Sequence, residues 1–210
     1  MSSPVTYREA GRIAIITADN PPVNALGHAV RQGLVDGLRQ AEESANVAAA
    51  IIICAGRTFF AGADIREFGK PPVSPVLREV HEAMTRFPKL LVAAIHGTAL
   101  GGGFETALAC HYRIAVESAQ VGLPEVNLGI LPGAGGTQRL PRLIGVEKAL
   151  DMIVSGKPIG AKEARRLGAI DEIAAGDLEQ AAIAYAERLL DEGAPLRRVS
   201  ELSIDTAAVP

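Results

Sequence analysis

The sequence predicts one α/β domain with a helical C-terminal portion. Short apolar runs rich in β-branched residues alternate with longer stretches in which apolar side chains recur every three or four positions. The length of 210 residues suits one generous domain better than two. Apolar residues make up 48% of the chain and aromatic residues only 4%, so the core must be built mainly from Ala, Ile, Leu and Val.

The N-terminal half alternates predicted strands with amphipathic helices. Gly11 separates two apolar runs that predict a β-hairpin. Strands are predicted over residues 5–10, 13–16, 48–54 and 91–95. One-sided apolar spacing predicts helices over 28–44 and 76–87. Because helices separate the strands that follow the hairpin, we expect the strand pairing to be largely parallel.

The C-terminal half is predicted to be mainly helical. A helix over 104–110, a strand over 112–116 and a short extended piece over 119–122 precede a Gly- and Pro-rich turn at 131–136. Further helices are predicted over 146–154, 161–167 and 177–190, the last with Asp177 as its N-cap. We expect residues 1–197 to form the domain and residues 198–210 to form a linker or tail.

Composition and spacing exclude several classes of function. The formal charge of −3 and the absence of a basic run give no footprint for nucleic acid. The longest stretch without charged residues, 90–104, is shorter than the ~18 apolar residues of a membrane span. No secretory signal is visible, so an intracellular protein is expected. Cys54 and Cys110 are interpreted as buried thiols, and the scattered histidines as structural residues that form no metal site.

No common nucleotide or hydrolase motif is present. Gly101 and Gly103 are not followed by a glycine at position 106, so the dinucleotide fingerprint is incomplete. No Gly-Lys-Ser/Thr ends a glycine run, and no Gly-x-Ser-x-Gly occurs. Neither NAD nor a nucleoside triphosphate is therefore expected to bind this chain.

Three glycines at 101–103 join a buried strand to a helix that carries Glu105. Backbone N–H groups at such a helix start can hold a developing oxyanion, and glycine lets a ligand carbonyl come close. Glu105 would lie beside that anion site. The alternative is a tight turn in which Glu105 only complements the helix dipole.

A second loop, residues 59–65, also follows a buried strand and also offers small residues with free N–H groups. The two loops could converge on one carbonyl oxygen. Glu125 lies in the apolar segment 121–130, where an unpaired charge is costly and usually has a partner or a task. The alternative is a carboxylate bonded to nearby backbone. The spacing alone leaves open whether Glu105 and Glu125 meet.

Successive motifs resemble those of the crotonase, or enoyl-CoA hydratase/isomerase, superfamily. They span residues 20–26, 60–65, 101–105, 124–129 and 132–140. Residues 109–115 and the Asn-Pro-Pro-Val opening are most similar to the N-terminal hydratase/isomerase part of multifunctional fatty-acid β-oxidation enzymes. The resemblance implies a crotonase-like spiral of ββα units, followed in the larger enzyme by a 3-hydroxyacyl-CoA dehydrogenase portion that is absent here. NAD is expected only for that portion.

The resemblance implies hydration of trans-2-enoyl-CoA to 3-hydroxyacyl-CoA. It assigns the N–H groups of Ala63 and Gly102 to the thioester oxygen, Glu105 to activating the water, and Glu125 to protonating the α-carbon. Gly133 resembles the backbone contact to that water. Isomerisation of 3-enoyl-CoA to 2-enoyl-CoA would use Glu125 alone.

The resemblance also implies where coenzyme A binds. Ala25, Ala61, Asp64 and Ile65 match positions that cradle the CoA moiety of an acyl-CoA thioester. Asn20 stands where many members carry a basic residue near the CoA phosphates, so the phosphate-binding groups are left unassigned. Coenzyme A is part of the substrate, and no separate cofactor is expected.

Two alternatives to a hydratase stay open. One is an isomerase without hydratase activity, and the other is a non-catalytic crotonase-fold module that binds acyl-CoA or RNA. Single-function members of this superfamily usually continue with further helices that close the site, and the resemblance implies that these helices are missing here. The domain is therefore expected to leave apolar surface exposed, which would favour self-association. The expected location is the cytoplasm for a bacterial protein and the peroxisome for a eukaryotic one.

Overall fold

The computed structural model describes residues 3–204. Its strands are β1 (Val5–Ala10), β2 (Ile13–Ala18), β3 (Ala49–Cys54), β4 (Leu90–Ile95), β5 (Thr98–Leu100), β6 (Tyr112–Val116), β7 (Gln120–Gly122), β8 (Ile159–Gly160) and β9 (Glu172–Ala174). Its helices are α1 (His28–Glu43), α2 (Leu77–Arg86), α3 (Gly102–Ala109), α4 (Gly136–Ile144), α5 (Val146–Ser155), α6 (Ala161–Leu167) and α7 (Leu178–Asp191). The chain is therefore an α/β protein, as predicted.

The main sheet has the strand order β1-β2-β3-β4-β6-β9. Its first two strands form the predicted antiparallel hairpin, and every other neighbouring pair is parallel. Every residue of β3 and β4 is buried. Parallel strands covered on both faces need continuous apolar sequence, and this explains why these two runs do not alternate.

Helices cover the main sheet on both faces. Leu34 and Leu38 of α1 belong to a large apolar cluster that includes Ile16 and Ile52. The neighbouring side chains of the same strands point the other way and pack against α7 in a second cluster. Helix α7 begins at the predicted N-cap, where the Asp177 carboxylate accepts from the Gln180 N–H at 2.9 Å.

Two ββα units repeat in the middle of the chain. In each unit the first strand, β4 or β6, belongs to the main sheet, and the second, β5 or β7, belongs to a small sheet of order β5-β7-β8. A helix, α3 or α4, then follows. The parallel pairing of β5 with β7 places the two units side by side. This repetition agrees with the spiral that the sequence resemblance implies.

The main departures from the predicted elements lie near glycines. Helix α3 begins at Gly102 rather than at residue 104, because the φ of +53° at Gly101 turns the chain directly into the helix. Helix α4 begins at Gly136, inside the predicted turn, and contains Pro141. The short strand β9 was not predicted, because three half-buried residues carry little periodic signal.

The described part of the predicted tail packs against the domain. Val199 is buried, and Arg198 Nε donates to the Thr85 carbonyl at 2.9 Å. Residues 205–210 lie outside the described residues, so a domain boundary at residue 197 stays a prediction. Cys54 and Cys110 are buried free thiols, as predicted. Within residues 3–204, no helix has both the length and the apolar character needed to cross a bilayer.

Candidate functional site

One cavity of about 440 Å³ collects the predicted reaction-site residues. The loop after β3, the start of α3 and the segment after β7 all reach it. The cavity is bordered by Ala63, Gly102, Glu105, Glu125 and Gly133. The structure therefore brings together five residues from four separate motifs of the sequence.

The two small-residue loops meet through direct backbone contact. A Cβ at Gly103 would lie 1.8 Å from the Phe60 carbonyl oxygen, so only glycine permits this approach. The same carbonyl accepts from the Leu100 N–H at 3.3 Å. A Cβ at Gly102 would lie 3.5 Å from the Ala63 nitrogen. The N–H groups of Ala63 and Gly102 are consequently held close to each other at the cavity wall.

These two N–H groups are available to a ligand. No backbone carbonyl within residues 3–204 accepts from the N–H of Ala63. Gly102 is the first residue of α3, where an N–H group has no partner within the helix. The helix start also carries partial positive charge. This wall of the cavity can therefore hold an oxygen that gains negative charge.

Glu105 is held by the turn that precedes α4. Its side chain is buried, and Oε1 accepts from the N–H groups of Ala134 and Gly136, both at 2.8 Å. Its Oε2 accepts from none of residues 3–204, and Glu105 lines the cavity. Burial raises the pKa of Glu105, while the two N–H donors and the charge of Arg139 act in the opposite direction.

Glu125 has fewer hydrogen-bond partners than Glu105. It is buried, and its Oε2 has no hydrogen-bond partner among the residues that the structure describes. The other oxygen lies against Gly101, where an added Cβ would be 3.1 Å away. Burial raises the pKa of Glu125 to about 7, and the charge of Glu105 adds to this effect. Two carboxyl groups in such different surroundings can act as acid and base in one reaction.

The small sheet explains how carboxylates twenty positions apart share a cavity. Leu100 pairs with Gly122 at the ends of parallel strands β5 and β7, and the Gly101 N–H donates to the Gly122 carbonyl at 2.9 Å. Glu105 and Glu125 follow these strand ends closely. Because the ends of parallel neighbours lie at the same sheet edge, the two carboxylates reach the same cavity.

The residues assigned to CoA line a neighbouring cavity of about 420 Å³. Ala25, Ala61, Asp64 and Ile65 all border it. Residues 61–63 and 65 also line the first cavity, so the two cavities adjoin along one loop. The Arg66 guanidinium, 2.7 Å from Asp64, lowers the pKa of that carboxylate. The Asp64 side chain is thus occupied in shaping the loop.

Two residues at the site are not assigned by the sequence. His81 and Arg139 both lie 3.0 Å from the Ala134 carbonyl, on the turn that holds Glu105. His81 is an isolated histidine on a predicted helix, which favours the structural interpretation. Arg139 lies inside one of the motifs, but nothing in its spacing shows what it contacts. Within residues 3–204, no group of three or more His, Cys, Asp or Glu side chains is arranged to hold a metal ion.

Comparisons with known proteins agree on one family. A profile of the Enoyl-CoA hydratase/isomerase family matches residues 8–205. The chain is 47% identical over 191 residues to a Danio rerio protein named peroxisomal bifunctional enzyme, covering 91% of this chain and 27% of that protein. It thus spans about a quarter of the length of such relatives. A Bacillus subtilis protein named probable enoyl-CoA hydratase is 51% identical over 165 residues, covering 75% of this chain and 64% of that protein.

Solved structures confirm the predicted crotonase-like fold. The crystal structure of enoyl-CoA hydratase from Bacillus anthracis superposes with a TM-score of 0.82 at 38% sequence identity. The match covers 89% of this chain and 76% of that structure. Both the sequence and the fold therefore place the chain in the enoyl-CoA hydratase/isomerase family.

Proposed function

We propose that the chain hydrates trans-2-enoyl-CoA to 3-hydroxyacyl-CoA. The observation that carries this proposal is the meeting of two buried carboxylates with two free backbone N–H groups around one cavity. Glu105 and Glu125 can move protons, while the N–H groups of Ala63 and Gly102 can stabilise negative charge. Addition of water to a conjugated thioester needs both.

The thioester oxygen is proposed to lie between the N–H groups of Ala63 and Gly102. When water adds at the β-carbon, the π electrons of the double bond move toward this oxygen and an enolate forms. Each N–H donor of this kind contributes about 3–4 kcal/mol to lowering the barrier. The donors are main-chain groups fixed by the contact between Gly103 and Phe60, so they need little rearrangement during the reaction.

The two glutamates are proposed to act on opposite sides of the addition. Glu105 takes a proton from the water as its oxygen attacks the β-carbon, and Glu125 gives its proton to the α-carbon as the enolate collapses. Burial raises the pKa of Glu105, and the two N–H donors and the charge of Arg139 oppose this rise by stabilising the carboxylate form. Burial, which raises the pKa of Glu125 to about 7, keeps a protonated fraction available at neutral pH. Gly133, at the cavity wall, is proposed to contact the water through its backbone.

Isomerisation is proposed as a second activity of the same site. The carboxylate form of Glu125 would take a proton from the α-carbon of a 3-enoyl thioester and return it to the γ-carbon. A pKa near 7 makes both forms of Glu125 accessible in one pH range. This path does not require Glu105.

The larger context follows from the relatives. The acyl chain is proposed to occupy the first cavity, and the CoA moiety the second, which Ala25, Ala61, Asp64 and Ile65 line. By relationship to the peroxisomal bifunctional enzymes, we infer a role in fatty-acid β-oxidation as part of a multifunctional enzyme. Its location would be peroxisomal in a eukaryote and cytoplasmic in a bacterium.

Two amide substitutions test the assignment. Glu105→Gln is expected to remove most hydration of a short 2-enoyl-CoA and to spare part of the isomerisation. Glu125→Gln is expected to impair both reactions. Loss of the conjugated-thioester absorbance measures hydration, and its appearance from a 3-enoyl-CoA measures isomerisation.

The matched control is Glu117→Gln, which changes an exposed glutamate paired with Lys162 on the surface. Both activities should stay at the wild-type level in this variant. Equal loss of both reactions in Glu105→Gln and Glu125→Gln would contradict the division of roles. No turnover by a folded wild-type sample that binds acyl-CoA would overturn the proposed function itself.

A further inference from the structure

A buried histidine lies behind the turn that holds Glu105. His81 on α2 is 1% exposed, and its two ring nitrogens have partners on two other segments. Nδ1 is 3.0 Å from the Ala134 carbonyl oxygen, and Nε2 is 2.9 Å from the Thr106 hydroxyl. The imidazole therefore connects α2, α3 and the turn formed by residues 133–136, called the 133–136 turn below.

The Ala134 carbonyl and the burial of the ring fix which nitrogen of His81 carries the hydrogen. A carbonyl oxygen only accepts, so Nδ1 of His81 carries the hydrogen and donates to Ala134. Burial lowers the pKa of His81 to about 4, so the ring is neutral near pH 7 and Nε2 is an acceptor. The Thr106 hydroxyl has one hydrogen, which is shared between Nε2 at 2.9 Å and the Gly102 carbonyl oxygen at 2.7 Å. The positioning of the 133–136 turn by His81 is thus independent of pH around neutrality.

Arg139 donates a hydrogen bond to the same carbonyl oxygen. Its Nη1 donates to the Ala134 oxygen at 3.0 Å, and the guanidinium lies so close to Gly135 that an added Cβ would be 2.2 Å from Nη1. Arg139 is buried and has no salt bridge within residues 3–204. The carboxylate that its charge influences is that of Glu105. Two donors from two helices therefore converge on one carbonyl.

The 133–136 turn passes this restraint to Glu105. The N–H groups of Ala134 and Gly136 donate to Oε1, and this leaves Oε2 as the oxygen free to meet a water in the cavity. Any rotation of the turn would move both donors together and change the direction of Oε2. Within residues 3–204, no hydrogen bond links Glu125 to this turn, so the turn does not orient its carboxyl group in this way.

We propose that His81, together with Arg139, is a positioning residue that clamps the Ala134 carbonyl and thereby aims Glu105 Oε2 at the water of the hydration reaction. This inference rests on the proposed function and distinguishes between its two reactions. The clamp serves hydration, which uses Glu105, and leaves isomerisation, which uses Glu125, largely unaffected.

The test compares His81→Leu with His81→Asn. Leucine removes both hydrogen bonds without leaving their partners unsatisfied, because Thr106 Oγ1 is also 2.7 Å from the Gly102 carbonyl and Arg139 still donates to Ala134. Asparagine carries an amide donor that can replace Nδ1. His111→Asn is the matched control, since His111 is also buried but accepts through Nδ1 from the Leu91 N–H, away from the cavity.

In His81→Leu we expect kcat for hydration to fall by about 10- to 100-fold, because misplacement of a reacting group by about 1 Å costs up to ~10²-fold. KM should change less than about twofold, and isomerisation less than about threefold, since neither depends directly on the aim of Glu105. The acid limb of the hydration pH profile should move upward, because weaker N–H donation to Glu105 raises its pKa. His81→Asn should recover most of the loss, and His111→Asn should match the wild type.

A second measurement does not depend on turnover. Hydrogen exchange of the Ala134 and Gly136 amides, followed by NMR, should become faster in His81→Leu. Unchanged exchange at these amides would overturn the clamp, as would equal losses of hydration and isomerisation or an unaltered hydration rate and pH profile. A wild-type protein without hydratase activity would refute the proposed function, while the exchange measurement would still decide whether the clamp exists.

Discussion

Gly103→Ala tests the backbone contact that joins the two N–H donors. The new Cβ would lie 1.8 Å from the Phe60 carbonyl oxygen. An ordinary contact of about 3.4 Å requires the two segments to separate by roughly 1.6 Å. Gly103 lies inside helix α3 and is not a positive-φ glycine. Alanine is favoured over glycine in a helix by about 1 kcal/mol, so steric overlap is the only unfavourable effect.

Both stability and activity should respond. Overpacking of this kind lowers the free energy of unfolding by about 1–3 kcal/mol. For a chain of this size that loss corresponds to a fall of roughly 2–12 °C in Tm. Because Ala63 follows Phe60 closely and Gly102 precedes Gly103, the separation also spreads the N–H donors. Misplacement by about 1 Å or more should lower kcat for hydration by about 10²-fold.

Differential scanning calorimetry and the 2-enoyl-CoA assay measure these two effects. Gly160→Ala is the matched control, because a Cβ at Gly160 meets nothing within 4 Å and its φ is −73°. The control should keep the wild-type rate, and its Tm should fall only slightly, because alanine is less favourable than glycine at the N-cap of α6. If Gly103→Ala behaves like Gly160→Ala in both measurements, the two loops are not held together by this contact.

Three further predictions concern the buried charges and Gly101. Burial raises the pKa of Glu125 in the folded state from 4.5 to about 7. The Tm of the wild type should therefore fall relative to that of Glu125→Gln as the pH rises from 4.5 to 7, and thermal melting at several pH values measures this difference. Arg113→Met should lower the urea-derived free energy of unfolding by about 3–5 kcal/mol, since it leaves the carboxylate of Asp171 without its fully buried partner. Gly101→Ala should lower the free energy of unfolding by about 1–3 kcal/mol, because φ +53° with ψ −128° is a conformation that residues with a Cβ rarely adopt, and should impair both activities, because the Cβ would press on Glu125.

Each of these predictions has a contradicting result. A constant Tm difference between wild type and Glu125→Gln across this pH range would show that the carboxyl titrates normally in the folded state. A loss below about 1 kcal/mol in Arg113→Met would show that Arg197, 2.5 Å from Asp171, is a sufficient partner alone. Wild-type activity in Gly101→Ala would show that Glu125 is not confined by this glycine.

The sequence predicts the main sheet well because burial dictates its composition. The strands β3 and β4 are covered on both faces, so their residues are continuously apolar and the runs are easy to recognise. The helix α4 is much harder to predict. It begins with the glycines of a turn and contains Pro141, so its helical period is masked at one end and interrupted in the middle.

The candidate site is only partly predictable for a similar reason. The motifs single out Glu105 and Glu125, but their proximity depends on the pairing of β5 with β7, which are three-residue strands with little periodic signal. The role of His81 depends on contacts with Ala134, 53 residues away in the sequence, and with Thr106, 25 residues away. No local sequence pattern predicts contacts between residues so far apart in the chain. The family resemblance therefore identifies the two carboxylates, whereas the residues that position them are found only in the three-dimensional structure.

The glycines at 101–103 have a consequence for how this site tolerates variation. At each position the absence of a Cβ leaves room for a neighbouring group. An added Cβ would press on Glu125 at position 101, on Leu77 at 102 and on the Phe60 carbonyl at 103. The proposed oxygen-binding groups are main-chain amides, which every residue except proline carries. In a saturation mutagenesis library, therefore, positions 101 and 103 should reject every residue that carries a Cβ, whereas Glu105 and Glu125 should reject substitutions that remove the carboxyl group.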